Sequence, residues 1–144
     1  MNSFELCFAI SLALTLCLAN GQKAEKGKLE ILYDDQPIEN FQEKLPNSKD
    51  FKCKITGWKD SFYPKTIVKW YLGDQLIHTA KDRSSDLFHD NGQDLIYAVL
   101  KPKLEDEHYG KKLKCEAQYE DKTLKNDITL LMPSKFYVMF IKYA

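Results

Sequence analysis

The chain has 144 residues, 44% hydrophobic, 29% charged and 12% aromatic, a balance that suits one globular domain and argues against disorder or collagen-like repetition. Lys plus Arg equals Asp plus Glu at 21 each, and Arg83 is the single arginine. A dedicated nucleic-acid binder favours a basic excess and several guanidinium forks, and this chain has no excess and one arginine.

Residues 6–19 (LCFAISLALTLCLA) form a charge-free, mostly apolar run. It is shorter than the roughly 20 residues that span a bilayer. It fits the apolar region of a secretory signal peptide, with cleavage after Ala19 or Gly21. Its start departs from the usual basic one, because it carries Glu5 and no Lys or Arg. The alternative is an uncleaved N-terminal helix. With residues 1–21 taken as signal peptide, the mature protein is secreted and extracellular. Removal takes away Glu5, Cys7 and Cys17, leaving 21 cations against 20 anions, and Cys53 and Cys115 as the cysteines. In a secreted chain, two cysteines most simply form one disulfide. No CxxC occurs, and His78, His89 and His108 lack ligand-pair spacing, so no metal site is expected.

A polar lead-in, 22–27, precedes segments of mostly period-two hydrophobicity. Lys28–Tyr33 is the first predicted strand, followed by the turn Asp34-Asp35-Gln36-Pro37. Lys49–Thr56 alternates clearly, with Phe51, Cys53 and Ile55 on one face and Lys52 and Lys54 on the other. Thr66–Leu72 places Val68, Trp70 and Leu72 together, and Gly73-Asp74 turns tightly into Gln75–Thr79. Lys81–Asp90 is polar and gives no clear period. After the turn signal Asn91-Gly92, Gln93–Lys101 is apolar on both faces, which leaves its inward set open. Gly110–Tyr119 alternates again, with Leu113, Cys115, Ala117 and Tyr119 on one side. A turn at Glu120-Asp121-Lys122 leads to Thr123–Leu131, with Ile128 and Leu130 inward. The sum is seven or eight short strands and no amphipathic helix, with both cysteines on inward faces of separate strands.

The constellation Cys53, Trp70 and Cys115 resembles the immunoglobulin fold, where a tryptophan packs on a disulfide joining two sheets. IVKWYLGDQ (67–75) looks like the third strand of such domains. LEDEHYGKKLKCEA (104–117) looks like the approach to the second cysteine. The resemblance covers about residues 28–131 and is closest to single domains of adhesion and receptor proteins. It implies an all-β, two-sheet sandwich with an inter-sheet disulfide and a core around Trp70 and Leu113. Leu113 stands two positions before the second cysteine, where many members carry the tyrosine of the tyrosine corner. The span from Cys53 to Trp70 is also long and holds an expanded loop.

No GxSxG, HExxH, P-loop or GxGxxG occurs, so no catalytic residue and no cofactor are assigned. Glu105-Asp106-Glu107-His108 and Asp34-Asp35 read as solvated corners. The loop residues Trp58, Phe62 and Tyr63 have two readings: anchors that contact a partner, or a cap in which Trp58 folds over the sandwich end. Lys101, Lys103, Lys111, Lys112 and Lys114 form a basic cluster that a heparin-like polyanion would recognise; the other reading is a solvated face. The apolar run Phe136–Ile141, within the tail 132–144, is too short to span a membrane. It fits an extension of the last strand or a docking segment. These observations lead to a secreted module that binds an extracellular or cell-surface protein. The rivals are a homodimerising structural module, through tail or strand edge, and a polyanion carrier.

Overall fold

A computed structural model describes residues 26–42, 49–90 and 92–133. The signal-peptide assignment, most of the lead-in, Asn91 and the run Phe136–Ile141 lie outside the described residues.

The elements in chain order are β1 (Lys28–Tyr33), β2 (Gln36–Pro37), β3 (Asn40–Phe41), β4 (Phe51–Thr56), β5 (Ile67–Leu72) and β6 (Gln75–Ala80). They continue with β7 (Leu87–Asp90), β8 (Leu95–Leu100), β9 (Lys112–Tyr119) and β10 (Lys122–Leu130). Short 3-10 turns occupy Asp60–Lys65 and Asp106–His108. The strands form two five-stranded sheets, β2-β1-β4-β8-β7 and β3-β10-β9-β5-β6. All pairings are antiparallel except β3 on β10. The chain therefore switches sheets between β1 and β3, so both sheets share its first segment.

Period-two alternation decides which side chains meet between the sheets. Phe51, Cys53 and Ile55 on β4 face Val68, Trp70 and Leu72 on β5 and Leu113, Cys115 and Ala117 on β9, and all are buried. The Cys53–Cys115 disulfide joins the two sheets with a Cα–Cα distance of 6.4 Å. Trp70 is the direct cross-strand partner of Cys115, which sets the indole beside the bridge. Two sheets, that bridge and that tryptophan make the protein an immunoglobulin-like sandwich. Leu113, in place of the corner tyrosine, is fully buried and contributes packing where a hydroxyl bond would otherwise stand.

The undecided strand resolves simply. On β8, Ile96, Ala98 and Leu100 point inward and are buried, leaving Tyr97 and Val99 on the outer surface. The polar stretch before it contains β7, whose Leu87 is buried. The sequence reading missed β3, where two residues leave no room for a period. Its Phe41 sits at 4.8 Å from Tyr33 and 5.1 Å from Phe51, ring to ring, and closes one end of the core. At the β1–β2 turn, Asp34 and Asp35 both take left-handed backbone, at φ 52° and 61°. Consecutive positive φ values suit a two-residue hairpin turn, and aspartate tolerates that region better than most residues.

The opposite end is closed by Trp58. Its indole packs on Gly27 so closely that a Cβ there would fall 2.4 Å from the ring. We expect Gly27→Ala to push the indole out and lower stability by about 1–3 kcal/mol, as overpacking does. The urea midpoint checks this, and an unchanged midpoint would show that the cap is not tightly held.

Candidate binding face

The two outer faces of the sandwich differ in chemistry. On the β10-β9-β5 face, cross-strand charges are paired. Lys112 bonds Asp127 at 2.7 Å, and Lys125 bonds Glu116 at 3.1 Å. The Lys114 ammonium sits 4.3 Å from the centre of the Tyr71 ring. Most charges on this face therefore have a neighbour of matching chemistry among its own side chains.

The face formed by β1, β4, β8 and β7 carries apolar side chains beside its charged ones, where a solvated sheet face is normally polar. The register sets Glu30, Lys54, Tyr97 and Phe88 in one row, and Leu32, Lys52 and Val99 in the next. Phe88 is 48% exposed. Tyr97 and Val99 are half-buried, and Leu32 is buried. Together with Asp35 and the two lysines they line an open cleft of about 520 Å³. The charges at its margin are ordered: Lys52 bonds Asp35 at 2.6 Å and Lys28 bonds Glu30 at 2.7 Å. That bond from Lys28, with the nearby Lys54, holds the Glu30 carboxyl below the usual carboxylate range, against its partial burial.

The other candidate residues fall elsewhere. Trp58 is 2% exposed, so it caps the core and is not free as a contact anchor. Phe62 and Tyr63 are half-buried. Phe62 stacks on Tyr119 at 4.0 Å, with Lys122 4.7 Å from its centre. Tyr63 donates its hydroxyl to the Leu87 carbonyl at 2.9 Å and lies against the His89 ring. Asp60 accepts from the Gly92 backbone at 2.8 Å. These bonds fasten the loop to the sandwich. The basic cluster is divided: Lys112 and Lys114 belong to the charge-matched face, while Lys101, Lys103 and Lys111 are exposed in the connection between β8 and β9. The Glu105–His108 corner forms a capping box, with the His108 ring accepting from the Glu105 backbone at 2.8 Å. No group of three metal-ligating side chains occurs among the described residues.

The sequence held a signal for the apolar face. Gln93–Lys101 is apolar on both sides, and one of those sides has no opposing sheet. Phe88 carried no signal, because its strand is too short to display alternation.

No protein-family profile matches the chain, and no curated protein matches its sequence. Solved structures similar to it include the MHC-like protein MILL2, at 11% identity and a TM-score of 0.45. That match covers 84% of this chain, which spans about 40% of the MILL2 chain. Human titin ZIg10 is similar at 20% identity and a TM-score of 0.36, over 79% of this chain and 83% of that one. These likenesses concern shape alone and assign no role. No helix among the described residues is long and apolar enough to cross a membrane.

Proposed function

We propose that the protein is a secreted, non-enzymatic immunoglobulin-like module that recognises an extracellular protein partner with the outer face of β1, β4, β8 and β7. The observation that carries this reading is the apolar surface of Phe88, Tyr97 and Val99 on β7 and β8, flanked by Lys52 and Lys54 of β4. Water meets that surface at a free-energy cost of about 25 cal/mol per Å² of apolar area, which association removes. The partner therefore presents an apolar patch. Lys52 and Lys54 at the cleft set the orientation in which its polar rim docks. Secretion is supported by the apolar leader in the sequence and by the disulfide, which persists in oxidising compartments.

The test is cross-linking of the purified chain to living cells, with Phe88→Glu in parallel. Phe88 is half-exposed, so the variant keeps its fold, checked by its thermal midpoint. We expect the wild type to capture a defined cell-surface protein and the variant to lose at least about tenfold in capture, as for a well-placed aromatic contact. Equal capture by both would move the binding site off this face.

A further inference from the structure

We infer that the protein self-associates through β6, pairing the edge strands of two copies about a two-fold axis. This goes beyond the binding-face reading and does not depend on it. β6 ends its sheet, so its outer backbone groups have no strand partner among the described residues. Natural edges are commonly blunted by lysine, proline or inward charges. Gln75–Ala80 carries no Lys, Arg, Asp, Glu or Pro, and its Leu76 is 49% exposed.

The strand is self-complementary. Opposite β5, Trp70 pairs with His78 and Tyr71 with Leu76, so Ile77 is an extra, bulged residue. The bulge shifts the side-chain alternation by one. Leu76 and Thr79 oppose the outward Tyr71 and Lys69, while Gln75 and Ala80 oppose the inward Leu72 and Val68. His78 opposes the inward Trp70 and Ile77 packs against the core, so read from either end β6 runs inward, outward, the core-side pair Ile77–His78, outward, inward. A two-fold axis between Ile77 and His78 therefore sets like faces opposite each other: Gln75 against Ala80, and Leu76 against Thr79. A bulge usually discourages pairing along an edge. Here it lies on the axis, where both copies share it, and the flanking pairs stay in register.

The flanking charges select the same register. One step outside the paired segment, Asp74 of one copy meets Lys81 of the other, twice by symmetry. Both residues are exposed and neither has an ion-pair partner among the described residues. A slip of one residue in one direction sets Asp74 opposite Asp82. A slip in the other direction sets it opposite Ala80 and sets Leu76 against the inward His78. Both alternatives lose a charge match or a face match.

Sedimentation of the purified full chain over a concentration series tests this. The wild type is expected to approach twice its monomer mass as concentration rises. Leu76→Lys, at an exposed outward position, should stay monomeric with an unchanged thermal midpoint. Asp74→Lys should weaken the dimer by about tenfold, through two lost and reversed charge pairs. Adding Lys81→Asp to Asp74→Lys should restore it. Amide exchange at His78–Ala80 should slow as the wild type is concentrated. A wild type that stays monomeric to about 1 mM, near the weak limit of specific association, would overturn the proposal. So would a dimer indifferent to Leu76→Lys and to the charge swap.

Discussion

Cys53→Ala is expected to lower folding stability by about 4 kcal/mol and to leave a smaller yield of folded protein. The bridge closes a loop of 62 residues. In the chain-entropy account, a loop of that size removes about 4 kcal/mol of conformational freedom from the unfolded chain. Domains of this kind hold roughly 5–15 kcal/mol in total, so the loss takes a large share of the margin. Both sulfurs are fully buried between the sheets, so truncation also leaves a void and a lone Cys115 thiol in an apolar setting. Urea unfolding of refolded wild type and variant measures the difference. Detection of two free, reactive thiols in the folded wild type would refute the bridge itself.

Trp70→Ala should cost about 3–5 kcal/mol, the range for removing a large aromatic side chain from a core. The indole is fully buried and belongs to the cross-strand pair with Cys115, so no solvent refills the space. Trp70→Phe separates volume from polarity. The indole Nε1–H has no hydrogen-bond partner among the described residues, so phenylalanine gives up no such bond. Phe also retains most of the ring contact, and its cost should be less than half that of alanine. Denaturant midpoints of the three proteins give the order wild type, Phe, Ala. A phenylalanine variant as unstable as the alanine one would show that the indole makes a polar contact. Trp70 and the bridge touch the same space, so combining Trp70→Ala with Cys53→Ala should cost less than the two losses added.

Much of this sandwich is legible in the sequence because alternation is a local property. Phe51, Cys53 and Ile55 on β4, and Leu113, Cys115 and Ala117 on β9, are separated by lysines or other polar residues. Any antiparallel sheet with one wet face buries that set. The turns at Gly73 and Asp34-Asp35 are equally local, since φ preference depends on the residue itself. The two-residue strands β2 and β3 fail that test, because a single period shows no repeat. β2 is the return arm of the Asp34-Asp35 turn, while β3 is held where Phe41 meets Tyr33 and Phe51, residues brought near only by the fold.

The loop 58–63 shows a different limit. An aromatic, proline-containing loop looks alike in sequence whether its rings turn inward or outward. Gly27, just before β1, leaves a space beside the core that the Trp58 indole fills, and Phe62 and Tyr119 stack next to it. That choice depends on residues distant along the chain.

The sequence by itself determined the class of the fold, the inward residues of its alternating strands and its bridge, because the period of hydrophobicity and the pairing of two cysteines act on any arrangement of the chain. Only the tertiary structure decided which surfaces remain in contact with water. The surplus apolar side of β8 became an exposed face because the opposing sheet covers its other side. The uncharged β6 became an edge because the following chain crosses to the other sheet. Both outcomes depend on what lies beside a strand, and an alternating pattern carries no record of its neighbours.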